Sequence, residues 1–180
     1  MTEETFHAFP KMGRLYRDIT ITEKIDGSNG QILIEDDGSI TAGSRQRWIT
    51  PGKSTDNFGF ARWVEENHDD LLKLGPGRHF GEWWGVGIQR SYDLHERRFS
   101  LFNPRWATEP RPDCCHVVPV IYRGPYSDRA IETAAQHLRD NGSMAAPGFS
   151  NPEGIIIFHE GGHVGFKHTF DGDGHKGNVS

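Results

Sequence analysis

Lys24 closes a β-branched stretch, Ile19 to Thr22, and stands directly before Asp26 and Gly27, a turn signal. A strand end fixes its backbone, Gly27 permits positive φ, and Asp26 and Asn29 can hydrogen-bond the local chain, so the amine projects from a rigid edge. Nucleophilic lysines are presented in this way and attack as the neutral amine. Taken alone, Lys24 to Gly27 equally describes a surface hairpin whose lysine faces water. Residues further along the chain decide between the two readings.

Four later clusters each put a polar group at the end or middle of a predicted strand. Arg45, after Ser44, is suited to a bidentate contact with phosphate. Glu82 lies among Phe80, Trp83 and Trp84, a setting that is costly for a carboxylate unless it accepts hydrogen bonds, as from a ribose hydroxyl. Phe99 and Phe102 offer a ring to stack on a purine, but in a regular strand they point to opposite faces, so one of them belongs to the core. Glu153 opens one strand and Lys167 lies near the end of the next; paired across a hairpin, they would share a site with a metal-bound phosphate.

The elements that must position these groups are mostly short β segments punctuated by glycine: 19–25, 30–35, 39–44, 78–84, 98–102, 116–122, 154–159 and 163–169. Asp36 to Gly38 reads as one hairpin loop and Glu160 to Gly162 as another. Asp56 is a candidate N-cap for a helix through Phe60, Trp63, Val64 and Leu71, ending near Gly75. Ser127 caps a second, with Ala134, Ala135 and Leu138 on one face and Asn141 and Gly142 at its end. Few helices among many antiparallel strands give an α+β class. Residues 141–152 read as a loop.

The chain has 180 residues, enough for one domain with a sizeable core. It has no run of about 18 apolar residues, and its N-terminus is acidic where a signal peptide would be basic, so the expectation is a soluble, cytoplasmic protein without a membrane partner. The two cysteines, Cys114 and Cys115, are adjacent, which is neither a metal nor a disulfide spacing. A net charge of −5 predicts a modest, salt-sensitive grip on nucleic acid, with arginines grouped at Arg45 and Arg47 and again from Arg90 to Arg111. His159, His163, His168 and His175 form a loose cluster without the cysteine spacing of a zinc site.

In order, Lys24 to Gly27, Phe80 to Trp83, Phe99 to Asn103, Glu153 with Gly154, and Val164 to Lys167 resemble the motif series of the covalent nucleotidyltransferases: ATP-dependent RNA and DNA ligases and mRNA capping enzymes. Asn29, Ser44 with Arg45, and Phe9 to Met12 are similar to the RNA ligase 2 branch. The resemblance implies antiparallel β-sheets with a few flanking helices, a nucleotidyltransferase (ATP-grasp-like ligase) catalytic domain; at 180 residues the expectation is a single such domain over residues 1–180, with no C-terminal accessory domain.

It also implies an activity: ATP-dependent joining of RNA 5′-phosphate and 3′-hydroxyl ends through a lysyl-AMP on Lys24, with Mg²⁺ or Mn²⁺. Glu23, Lys24, Ile25, Asn29, Arg45, Glu82, Phe102, Glu153 and Lys167 would contact the nucleotide or the RNA end. Lys24 and Lys167 would be catalytic, and Glu153 would organise the metal. The alternatives are an adenylylating or RNA-end-binding module without full turnover, a DNA ligase or capping-type enzyme, and an unrelated β-rich interaction domain.

Two departures stand out. The last family motif has two lysines separated by one residue, whereas Lys167 stands alone between Gly165 and Thr169, with Lys176 in the tail as a possible substitute. Family members also usually carry a further module, so an accessory protein is expected to replace it if this is not a minimal ligase.

Overall fold

The computed structural model describes residues 6–171; His175 and Lys176 lie outside them. Two sheets make up the fold. β1 (Asp18–Lys24), β7 (Val120–Pro125), β8 (Gly154–His159) and β9 (Val164–Thr169) form one, in the order β7-β1-β8-β9. β2 (Ser28–Ile34), β3 (Ile40–Gly43), β4 (Gly77–Gly85), β5 (Arg97–Leu101) and β6 (Cys115–Val117) form the other, in the order β3-β2-β4-β5-β6.

Strand alternation sorts each sheet into a covered face and an open one. In β1, Ile19 and Ile21 join Ile155 and Ile157 of β8 against Ala134, Ala135 and Leu138 of α3 (Asp128–Asn141). Ser127 caps that helix through a bond accepted from the Ala130 N–H, and Gly142, at φ 80°, ends it. In the five-stranded sheet, Ile32, Trp83 and Phe99 pack on Phe60 and Val64 of α1 (Phe60–Glu66) and on Leu71 of α2 (His68–Leu71). Truncating a buried ring such as Phe60 would cost about 3–5 kcal/mol. The even-numbered residues Thr20, Thr22 and Lys24 of β1, and Phe80 and Glu82 of β4, face the cleft between the sheets.

Four expectations change. Lys24 is not followed by a hairpin, because β1 and β2 lie in different sheets and residues 25–27 carry the chain from one to the other. Gly27 is not in the left-handed region either. It is required by close approach, since a Cβ there would lie 2.5 Å from the Trp83 carbonyl oxygen.

Segment 116–122 splits into β6, parallel to β5, and β7, antiparallel to β1. Pro119, which has no N–H to give a ladder, sits at the break, while its carbonyl accepts from the Glu23 N–H at 3.0 Å. The first helix begins at Phe60, three residues later than an Asp56 N-cap implies. Asp56 nevertheless serves it, its carboxylate accepting from the Ala61 and Arg62 N–H groups at 2.8 and 3.1 Å. Among the described residues no helix is long and apolar enough to cross a membrane.

Candidate active site

Lys24 is the last residue of β1, at the seam where the chain leaves one sheet for the other. Its neighbour in β8 is Gly154, which fixes the preceding Glu153 beside it. Lys24 Nζ lies 2.5 Å from Glu153 Oε2, with side-chain exposures of 22 % and 15 %.

Across the cleft, Glu82 of β4 faces Asn29 of β2 in the sheet register. Its two oxygens accept separately, Oε1 from the Gly27 N–H and Oε2 from the Asn29 amide, each at 3.1 Å. Burial is the larger influence and pushes the carboxyl up to about 7, although the charge of Lys24 and the Gly27 N–H pull it down. Glu82 is thus a carboxyl group held by hydrogen bonds, and it forms no ion pair among the described residues.

Lys24, Asn29, Arg45, Glu82, Phe102 and Lys167 line one cavity of about 1520 Å³. Phe102 is half-exposed there, whereas Phe99 is fully buried in the core. Lys167 lies in β9 opposite Ile156 of β8, two strands from Lys24. Ile25 is buried against Trp84 and Tyr92, so the protein's own packing occupies its side chain.

Glu23 also lines the cavity, but its carboxylate is engaged by the protein itself. Its carboxylate is 1 % exposed and accepts from the Ser143 hydroxyl at 2.5 Å and from the Met144 and Ala145 N–H groups at 2.8 and 2.9 Å. Burial raises its pKa, against those three bonds. Glu23 anchors the 143–146 loop, whose Ala146 packs with Ile25, Trp84 and Tyr92.

Two residues missed in the sequence hold the turn after Lys24. The Asp26 N–H donates to the Tyr92 hydroxyl at 2.8 Å, and Arg90 Nε donates to Asp26 Oδ2 at 2.9 Å. Arg90 also donates to the Asn151 carbonyl and to Asp171. They lie in a segment where Gln89, Ser91, Tyr92 and Asp93 all take positive φ, between 44° and 58°. Four non-glycine residues in that region store strain that the surrounding contacts must hold.

His159, from the loose histidine cluster, has its ring bridging the Leu15 carbonyl and the Gly162 N–H. Among the described residues no group of three or more His, Cys, Asp or Glu side chains is placed to cage a metal. Glu153 alone fits a different arrangement, in which one carboxylate and substrate phosphates share a Mg²⁺-like ion.

The model of the RNA ligase family matches residues 17–169. The chain belongs to the RNA ligase family. Its fold is that of the Naegleria gruberi RNA ligase. A lysine-to-alanine variant of that enzyme without ligand superposes at TM-score 0.61 and 18% identity over 86% of this chain and 50% of the other. Another, with ATP and Mn, gives 0.62 and 18% over 86% and 49%. A glutamate-to-alanine variant with AMP and Mn gives 0.60 and 19% over 86% and 50%. The chain therefore spans about half the length of these ligase structures. No curated protein matches the sequence at a significant level.

Proposed function

We propose that this RNA ligase family chain uses ATP and a divalent metal to join RNA 5′-phosphate and 3′-hydroxyl ends, with Lys24 as the nucleophile. The observation that carries the reading is that Lys24, paired with Glu153 at 2.5 Å, lines one cavity together with Glu82 and Lys167.

Lys24 Nζ, once neutral, attacks the α-phosphorus, forming the P–N bond as the bond to pyrophosphate breaks. An oxygen of the RNA 5′-phosphate then displaces Lys24 from the AMP phosphorus. Finally the 3′-hydroxyl attacks the RNA 5′-phosphorus, AMP leaves, and the hydroxyl proton is lost to solvent. Each step is a displacement at phosphorus, so the chain's work is positioning and charge neutralisation. A divalent ion held by Glu153 and the phosphates would supply positive charge there and weaken Glu153's hold on the ammonium.

Lys167 and Arg45 are the cations for the phosphates, with Lys167 on the α-phosphate and Arg45 together with Asn29 toward the nucleotide or the RNA end. Glu82 accepts from the ribose hydroxyls, using lone pairs left free by Gly27 and Asn29. Phe102 stacks on adenine. Glu23 and Ile25 contribute through the backbone, since their side chains are engaged elsewhere.

Incubation with Mn²⁺ and α-labelled ATP should leave acid-labile label on the denatured protein, and addition of 5′-phosphorylated RNA should move it to the RNA. Equal labelling of a Lys24→Ala variant would overturn the assignment, and labelling by GTP in place of ATP would redirect it to capping chemistry. The absence of a second lysine at either Gly165 or Thr169 beside Lys167 favours one rival, an adenylylating module without full turnover. That rival predicts label that stays on the protein.

A further inference from the structure

Outward from Glu82, the cleft face of β4 continues through Phe80 to Arg78, on a surface the adenylate chemistry leaves unused. Phe80 is 51 % exposed, and Trp48, nearby on the same sheet, is 46 % exposed. Gln31 of β2 joins them: it is opposite Phe80 of β4 on one side and opposite Gly43 of β3 on the other. Its amide donates to the Ser44 carbonyl at 3.5 Å and accepts from Arg78 Nη1 at 3.3 Å.

Trp48 bridges to Gly43, where a Cβ would come within 3.0 Å of the indole and 2.7 Å of Gln31. The absent side chain is what lets the ring pack against the strand. The Arg78 guanidinium sits 5.3 Å from the indole centroid. The turn between them, closed by the Ser44 N–H donating to the Arg47 carbonyl at 2.8 Å, exposes Arg45 and Arg47. Two open aromatic rings among three arginines, continuous with the cleft through Arg45, make a surface of alternating stacking faces and cations.

We propose that Trp48, Arg78 and Phe80 form a stacking shelf for unpaired bases of the RNA substrate, an inference that rests on the ligase reading of the cleft. Unpaired bases lie on aromatic and guanidinium planes while neighbouring cations take the phosphates. A paired strand keeps its bases stacked on one another and gains little from the shelf. Three arginines suit a polyanion better than an apolar protein face, and continuity with the nucleotide cavity places the shelf beside the reacting end.

The test measures binding of a single-stranded, 5′-phosphorylated RNA oligonucleotide to the whole chain without ATP, by fluorescence anisotropy. Trp48→Ala should weaken binding roughly tenfold while Trp48→Phe retains most of it. The salt dependence should be unchanged in Trp48→Ala and shallower, by about 0.7 in the log–log slope, in Arg78→Ala. Self-adenylylation of Trp48→Ala should match wild type, and a strand of abasic nucleotides should bind both proteins equally. Unchanged RNA affinity in Trp48→Ala overturns the shelf and leaves this face as a protein contact. An equal loss with abasic RNA overturns it too. Failure of the wild-type chain to form a lysyl-adenylate would count against the ligase reading alone, because the binding comparison is read without ATP.

Discussion

The two walls of the cleft do different work with the same residue type. On the four-stranded wall, Glu153 is paired directly with Lys24, two strands from Lys167. On the five-stranded wall, Glu82 has no cation bonded to it, is held by two N–H donors and is pushed up to about 7 by burial. A carboxylate set against a cation governs charge, while one set among neutral donors governs hydrogen bonding. The cavity of about 1520 Å³ thus has Lys24 on one side and the hydrogen-bonded Glu82 on the other.

The most severe way to break that division is to neutralise each wall in turn. Glu153→Gln should cut the rate of lysyl-adenylate formation at saturating ATP on the order of 10²-fold or more, since it removes charge needed at the reacting phosphorus. Glu82→Ala should act mainly through KM for ATP, raising it on the order of tenfold, because ribose contacts are made equally in ground and transition states. Rapid-quench labelling across ATP concentrations separates the two. If both variants lose rate alone, the walls are not functionally distinct.

A smaller effect sharpens the comparison through pH. Glu82 has its folded pKa raised from 4.5 to about 7, so between those values the native protein binds more protons than the unfolded chain. Its contribution to stability is present in full below about pH 4.5 and is lost as pH rises through about 7. Glu23, also raised by burial, acts with the same sign. Glu82→Gln should therefore flatten the fall in Tm between those pH values and melt on the order of 5 °C above wild type at pH 8. Scanning calorimetry decides the matter, and an unchanged slope would mean that Glu82 is ionised at neutral pH in the free protein.

The same contrast explains how much of the molecule the sequence revealed. The five-stranded wall is built largely from neighbours in sequence, β2 with β3 and β4 with β5, so alternation and the Asp36 to Gly38 turn were enough to read it. The opposite parity of Phe99 and Phe102 followed from the same rule. The four-stranded wall brings Lys24 beside Gly154, 130 positions away, and no local pattern records such a pairing. For that reason the sequence left a hairpin after Lys24 open as one reading, where the structure has a crossing between sheets. The partners of the Glu23 carboxylate were hidden on similar grounds, because the loop it binds begins at Ser143. Arg90 and Tyr92 escaped notice because positive φ at Gln89, Ser91, Tyr92 and Asp93 comes without the glycines that usually mark it.

The seam between the walls gives the mildest and most specific prediction. Tyr92 is buried against Trp84 and Phe149, and its hydroxyl is the acceptor for the Asp26 N–H, two residues after Lys24. Tyr92→Phe keeps the packing and removes only that acceptor, leaving the N–H unpaired at a cost of about 1–2 kcal/mol, or about 3–6 °C in Tm. If the bond merely stabilises the fold, labelling of Lys24 at a temperature well below the transition should be unchanged. If it aims the turn, the labelling rate should fall a few-fold with KM for ATP preserved, since neither wall has been touched. The second outcome is expected because Arg90 and Tyr92 meet Asp26 from one strained segment, and strain of that kind persists where neighbouring contacts fix a geometry. A stability loss without any change in rate would assign the segment to folding and leave the two walls to position Lys24 by themselves.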